Sequence, residues 1–224
     1  MNDIISTFND LYYKIQISHN ICLADVRNIC LKSYNNSVVC DVDGGAPEIY
    51  YEILERDCGH FAVLKIERNS HEIIYESVNA DFAAIALFLF LSRHQIKKTD
   101  NDIEIEVFIK KEIAHGNIDL ARQVIAENFG EKTISFEKNV FDKISVITLS
   151  TNKIDIFYHG NTILFCSEFN KPDLERGYLI AFNKCRMINI YHKIMVNITN
   201  IIPDVNENEN RRLKYLFLVG TMEK

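Results

Sequence analysis

The sequence predicts an α+β fold in which two antiparallel three-strand meanders are each followed by a helix. The pattern of three short strands and a helix occurs twice, at about residues 48–95 and 143–194. Apolar and polar residues alternate along the strands, which is the period of a half-buried strand, and helical spacing follows each set. Each helix opens at an aspartate, Asp81 or Asp173.

The length and composition predict a folded globular protein. At 224 residues the chain suits one large domain or two small ones. Hydrophobic residues make up 47% and charged residues 25%, which excludes a disordered or fibrous chain. We expect a single domain over residues 1–224, either undivided or built from two similar halves at about 1–100 and 101–224. The two copies of the pattern share few identities, so both duplication and two independent meanders remain open.

Residues 3–92 contain three predicted helices and four predicted strands. Apolar residues recur at helical spacing over about residues 3–16 and 23–33, which predicts two N-terminal helices. A short strand is expected at about 37–42. Residues 82–92 are apolar nearly all round, which predicts a helix in the middle of the fold, packed against a sheet. The meander strands are predicted at residues 48–55, 61–67 and 71–77.

The section between the meanders predicts a strand, a helix and a further short strand. Isoleucine and valine alternate with glutamate and other residues over 103–110, which is typical of a half-exposed strand. Asn117 is a favoured residue before a helix and Gly130 a favoured residue after one, so a helix is expected over 118–129. Residues 134–136 indicate a short strand.

The second meander is also predicted to be followed by a helix, and then by a tail. A helix is expected to begin at Asp173 and to continue through about residues 191–196. The tail is predicted to hold a polar loop at 203–210 and an apolar segment at 213–219. We expect the additional N-terminal and central helices to pack on the sheets. The strands of the second meander are predicted at residues 144–148, 154–158 and 162–167.

The charge balance favours a protein partner over a nucleic acid. The formal net charge is −6, and the compact basic runs are only two residues long. A general nucleic-acid binder needs a basic patch that neutralises phosphates. An acidic surface suits a basic protein partner, because complementary fields speed association, although modest negative charge also simply keeps a protein soluble. The short basic runs are Lys97-Lys98, Lys110-Lys111 and Arg211-Arg212.

The cysteines and the apolar segments predict a cytoplasmic protein without a membrane span. The six cysteines show no CxxC pair and no regular spacing, which suits buried thiols in a reducing compartment. The first residues lack the basic and then apolar order of a signal peptide. The longest apolar run, residues 82–91, is about half of what a bilayer span needs.

One short motif could carry chemistry. Residues 38–44, an apolar strand ending in D-x-D-G, resemble the first motif of the haloacid-dehalogenase-like phosphatases. The resemblance implies a nucleophilic Asp41, a general acid/base Asp43 and Mg²⁺ between them. An acidic turn explains the same residues, since Asp and Gly are favoured in tight turns. Similarly, Cys58 and His60 would need two further ligands for zinc, so a hairpin turn is the preferred interpretation there.

Two groups of carboxylates are candidates for binding a partner. Paired carboxylates can serve as acid and base, but these are expected to be solvent-exposed, so attraction of a basic protein is favoured over catalysis. No metal site or cofactor is expected, because the seven histidines are scattered without a pair at i, i+4. The candidates are Glu104 and Glu106 on one face of the predicted strand and Asp204, Glu207 and Glu209 in the predicted loop.

Residues 50–92 contain a Tyr-Tyr strand, a turn with Gly59, an apolar strand ending Glu67-Arg68, a third strand and an apolar helix led by Asp81-Phe82. This order resembles that of the immunity proteins of bacterial polymorphic and contact-dependent toxin systems. The resemblance implies a small α+β protein that binds a cognate toxin domain and blocks it. We therefore expect a non-enzymatic, cytosolic immunity protein that occludes a toxin. The alternative is a Mg²⁺-dependent phosphatase or phosphotransferase that uses Asp41 and Asp43.

Overall fold

A computed structural model describes residues 2–17, 30–34, 37–41, 49–68, 70–93, 96–150, 152–159, 162–167 and 173–222. Its described residues form six α-helices and two β-sheets, which confirms the predicted α+β class. Their order is α1 (Asn2–Ile17), β1 (Cys30–Tyr34), β2 (Ser37–Asp41), β3 (Ile49–Arg56), β4 (His60–Glu67), β5 (Ser70–Ser77), α2 (Ala80–Ser92), α3 (Asp100–Ala114), α4 (Ile118–Phe129), β6 (Ile134–Phe136), β7 (Ile144–Ser150), β8 (Lys153–Tyr158), β9 (Thr162–Cys166), α5 (Leu174–Ile201) and α6 (Glu207–Val219).

The chain divides into two compact units. The first combines Met1–Lys97 with Tyr191–Lys224, and the second is the continuous segment Lys98–Ile190. The boundary between them falls within α5. Among the described residues, the helices lack the combination of length and apolar character that a bilayer crossing requires.

The sheet of the first unit is a five-strand antiparallel meander in the order β1-β2-β3-β4-β5. The predicted three-strand meander, β3 to β5, is therefore extended by two earlier strands. Successive side chains of a strand point to opposite faces of a sheet. The neighbours Ala62, Val63 and Leu64 of β4 are all buried, so both faces of the sheet are covered at this strand.

Helix α2 lies at the centre of the first unit. Its residues from Phe82 to Ser92 are all buried, as its apolar sequence predicts. The ring of Phe88 meets Phe8 of α1 at a centroid distance of 6.0 Å, and Phe90 meets Tyr51 of β3 at 5.5 Å. Helix α2 thus packs between α1 and the sheet, and it also contacts α6.

The two ends of α2 are held by specific polar contacts. At its start, the side chain of Asn79 accepts a hydrogen bond of 2.7 Å from the backbone N–H of Asp81. The carboxylate of Asp81 accepts one of 2.8 Å from Thr7 of α1. Just past its end, Arg93 donates to the backbone oxygens of Leu216 and Val219 at 3.4 and 3.3 Å. Arg93 therefore binds carbonyl groups at the end of α6, and the carbonyl of Leu216 also accepts a hydrogen bond from the N–H of Gly220.

The sheet of the second unit has the order β6-β7-β8-β9, with β6 parallel to β7 and the remaining pairs antiparallel. The second predicted meander is β7 to β9, and the predicted helix after it is α5. Arg122 of α4 donates to Tyr178 of α5 at 2.9 Å and to Thr148 of β7 at 3.0 Å. One guanidinium thus joins two helices to the sheet, which suits its planar array of donors.

The predicted strand over residues 103–110 is wrong, because this segment lies within helix α3. A capping box begins the helix: Thr99 accepts from the N–H of Asp102 at 3.2 Å, and Asp102 accepts from the N–H of Thr99 at 2.8 Å. Ile109 and Glu112 are buried on its inner side. Local capping and tertiary packing therefore prevail over an alternating pattern that favours a strand.

Two further expectations change within the first unit. The predicted helix over 23–33 is wrong at its end, since Cys30–Tyr34 is strand β1; residues 23–29 lie outside the described residues. The predicted loop over 203–210 is shorter than expected, because α6 begins at Glu207. Asn206 caps this helix by accepting a hydrogen bond of 2.9 Å from the N–H of Glu209.

Replacing Gly177 by alanine should destabilise the second unit. A Cβ at this position of α5 would lie 2.2 Å from Cγ2 of buried Ile154 on β8. Overpacking of this kind costs roughly 1–3 kcal/mol, which outweighs the gain of about 1 kcal/mol that alanine has over glycine in a helix. Chemical denaturation of Gly177→Ala measures the loss.

The matched control for this substitution is the same change in an Ile154→Ala background. Removing Cγ2 removes the overlap, so alanine at position 177 should then be neutral or stabilising. An equal loss of stability in both backgrounds would contradict close packing as the cause.

Candidate protein-binding site

Glu104 and Glu106, predicted to share one face of a strand, lie on different sides of helix α3. Residues two positions apart on an α-helix point about 200° apart. Glu106 is turned inward, its side chain 13% exposed, and it accepts hydrogen bonds of 2.7 Å from both Lys98 and Asn183. Glu104 is exposed. The predicted pairing of Glu104 with Glu106 is therefore wrong, and Glu106 serves the packing of its own unit.

The three carboxylates near the start of α6 also divide into two kinds. Asp204 and Glu207 are exposed. Glu209 is turned inward, with its side chain 13% exposed. It accepts a hydrogen bond from the hydroxyl of Tyr75 on β5 and another of 2.7 Å from Arg212. Glu209 is thus engaged within the first unit, and two carboxylates of this group remain at the surface.

Arg212 ties the start of α6 to the sheet through more than Glu209. Its guanidinium lies 4.8 Å from the centroid of the Tyr75 ring and donates a hydrogen bond of 2.6 Å to the backbone oxygen of Glu76. Glu76 in turn accepts from Arg56 of β3 at 2.8 Å. Arg212 therefore holds the start of α6 against β5 through a cation–π contact, an ion pair and a hydrogen bond.

The segment before α6 is held at a second point. The hydroxyl of Tyr191 on α5 lies 2.7 Å from both the backbone and the side-chain oxygen of Asn210. Residues 204–207, here called the acidic turn, are the three residues before α6 and its first residue, Glu207. The acidic turn thus presents Asp204 and Glu207 from a segment whose following residues are fixed.

The electrostatics of the anchor are governed by Tyr75. Tyr75 is fully buried, and burial raises the pKa of its hydroxyl well above the ordinary value. The hydrogen bond to Glu209 raises this pKa further. The hydroxyl is therefore protonated over the whole physiological range and donates to Glu209. Glu209 is occupied by Tyr75 and Arg212, so Asp204 and Glu207 are the carboxylates of this group that remain exposed to a partner.

The phosphatase motif lies in a different kind of sheet from the one that its resemblance implies. Asp41 is the last residue of β2, which pairs antiparallel with both β1 and β3. Haloacid-dehalogenase-like phosphatases have a parallel sheet with alternating helices. Asp43 lies outside the described residues. The antiparallel pairing gives the phosphatase hypothesis no support.

The possible zinc pair lies at a hairpin. A short 3₁₀ turn, Asp57–Gly59, joins β3 to β4, and His60 is the first residue of β4, as the turn interpretation predicts. Across the part of the chain that the structure describes, histidine, cysteine and acidic side chains do not gather in groups of three or more that could hold a metal ion.

Sequence reasoning missed the side chains that anchor the acidic turn. Tyr75 and Arg212 are far apart in the chain, and no local pattern links them. Asn206 could have been found, because an asparagine three residues before a glutamate and ahead of an apolar run marks a helix start. The exposed apolar residues of α3 were missed because the segment was predicted as a strand.

Replacing Tyr75 by phenylalanine should lower the free energy of unfolding by about 1–2 kcal/mol at pH 7, because Glu209 loses a donor in a part-buried site. Tyr13→Phe is the matched control, since Tyr13 is 62% exposed and should contribute little. Thermal or chemical denaturation of both variants tests the anchor. A larger loss in Tyr13→Phe would contradict it.

The raised pKa of Tyr75 also predicts an alkaline transition. The folded state keeps the phenol protonated at pH values where an unfolded tyrosine ionises. This contribution to stability is complete below about pH 10 and falls above it, by up to about 1.4 kcal/mol per pH unit. Tyr75→Phe should make the decline of stability above pH 10 shallower, and an unchanged slope would contradict the assignment.

Comparison with known proteins adds no relative from which a function could be transferred. A scan against protein-family models, a search of curated proteins and a search of solved structures each found no match to this chain. Its function is therefore inferred from its own residues.

Proposed function

We propose that this protein is a non-enzymatic binding protein, an immunity protein that neutralises a cognate bacterial toxin domain by occluding it. The observation that carries the proposal is the acidic turn, in which Asp204 and Glu207 are exposed beside an anchored helix start. The net charge of −6 supports a partner with a basic surface. The likeness of residues 50–92 to toxin immunity proteins lies in the same unit as the turn.

The anchoring of the acidic turn bears directly on affinity. Binding ordinarily costs about 0.5–1.5 kcal/mol for each flexible side chain or loop residue that must be ordered. The contacts of Glu209, Arg212 and Asn210 have already fixed the first turn of α6 before a partner arrives. A toxin that meets Asp204 and Glu207 therefore loses less of its interaction energy to ordering.

The charge of the turn should act mainly on the rate of association. Complementary charges steer the encounter of two proteins, and the effect falls once salt shortens the range of the field to about 8 Å. Lysine or arginine side chains on the toxin, as at a nucleic-acid-binding surface, are the groups that two exposed carboxylates attract. Covering such a surface would exclude the toxin's substrate without any chemical step.

Asp204→Lys/Glu207→Lys should weaken binding to the cognate toxin domain, whose gene we expect beside the gene for this chain. Because reversal replaces two attractive charges with two repulsive ones, we expect about a tenfold or greater loss in affinity at low salt, mostly in the association rate. Surface plasmon resonance at low and high salt measures the loss, which should shrink as salt rises.

The matched control is Glu72→Lys/Glu131→Lys, which makes the same change in net charge at two other exposed carboxylates. It should bind nearly as tightly as the native chain. Equal losses in the two double variants would show that only total charge matters. Failure of the native protein to bind this toxin domain, or to protect cells that express it, would overturn the proposed function.

A further inference from the structure

Helix α3 exposes large apolar side chains along its outer side. Ile103, Val107 and Phe108 are 48%, 60% and 39% exposed. Ile103 and Val107 are four residues apart and so adjacent on the helix surface, and Phe108 lies about 100° further round the helix, at the edge of the same side. Asp100, Glu104 and Lys111 lie on the same side of the helix. We call these six residues the α3 stripe.

The alternation that misled sequence reasoning also explains the stripe. Apolar residues at every second position fall on opposite sides of an α-helix, because each step turns the chain by 200°. Ile109 is therefore buried within the second unit, while Ile103 and Val107 point outward. A surface helix of a protein that acts alone normally carries charged residues on this side.

Opposite charges flank the middle of the stripe. Val107 is the central residue of Asp100–Ala114. Glu104 lies one turn before it and Lys111 one turn after it, and their spacing of seven places both on one side of the helix. Within the described part of the chain, neither side chain has an ion pair or hydrogen bond. The stripe is thus acidic at its start, apolar at its centre and basic at its end.

A helix with this polarity is complementary to an antiparallel copy of itself. When two such helices lie face to face and run in opposite directions, Glu104 of each lies opposite Lys111 of the other. Val107 of each then lies opposite Phe108 of the other, next to the two-fold axis. An isologous contact of this kind requires that one patch be self-complementary, and the α3 stripe meets this condition.

We propose that the α3 stripe binds a second copy of this chain, forming a symmetric dimer through an antiparallel α3 pair. The dimer is independent of toxin binding, which is assigned to Asp204 and Glu207. Fifteen residues give a helix about 22 Å long. One helix face buries less than the roughly 800 Å² per partner of a standard interface, so the dimer dissociates in the micromolar range or above.

Sedimentation equilibrium across a wide range of protein concentration tests the dimer. The native chain should shift from its monomer mass of 26.0 kDa towards twice that mass as concentration rises to about 500 μM. Val107→Asp should remain monomeric, because it brings two like charges together at the axis. Val196→Asp is the matched control, since Val196 is also helical and is 63% exposed, and it should still dimerise.

Exchanging the charges of Glu104 and Lys111 distinguishes the specific antiparallel pairing from non-specific association. Glu104→Lys and Lys111→Glu should each weaken the dimer by on the order of tenfold, because each creates like-charge contacts at two symmetric places. The double variant Glu104→Lys/Lys111→Glu restores opposite charges and should recover the native dissociation constant. Failure of the double variant to recover it would overturn the antiparallel register.

A cysteine at the axis provides a covalent test of the same register. In a Cys166→Ser background, which removes an exposed native thiol, Val107→Cys should form a disulfide-linked dimer under mild oxidation. Val196→Cys should crosslink far less. A native chain that stays at 26.0 kDa throughout the concentration range, or equal crosslinking at positions 107 and 196, would overturn the proposal.

Discussion

The burial of helix α2 is the constraint on which the first unit depends. A helix that is apolar nearly all round cannot remain at a surface, so it requires partners on every side. Helix α1 and the β3–β5 part of the sheet supply two of them, and α6 supplies a third. The side chain of Asn79 caps the start of α2. Asp81 joins that end to α1, and Arg93 joins the other end to α6. The anchoring of the acidic turn is a consequence of this arrangement, because α6 must be held against α2.

The fold was predictable wherever local and tertiary preferences agree. The apolar run of α2 and the cap residues of α4 identify those helices, and alternating residues identify the strands of both meanders. Prediction failed at α3, where Ile103, Ile105 and Val107 alternate as in a strand. There the capping box at Thr99 and the inward contacts of Glu106 favour a helix. The capping box can be seen in the local sequence, whereas the hydrogen bond from Asn183 to Glu106 joins residues far apart in the chain.

The candidate site was predictable only in part, for a related reason. Local sequence indicates that acidic residues before an apolar segment are exposed, which holds for Asp204 and Glu207. It does not reveal that Glu209 meets a tyrosine 134 positions away, or that Glu106 meets an asparagine 77 positions away. Whether a carboxylate is free for a partner or already used for packing is decided by such distant contacts. Composition and charge alone cannot distinguish the two cases.

The discontinuity of the first unit sets an order on its assembly during synthesis. Arg93 leaves the ribosome well before Leu216 and Val219, whose carbonyl groups it binds, and the whole of Lys98–Ile190 is made in between. The second unit is continuous in the chain and can complete its contacts as soon as its last residues emerge. Helix α2 must wait longer, because part of its apolar surface stays uncovered until α6 arrives. The most apolar of the described helices is therefore fully covered only after α6 has been made.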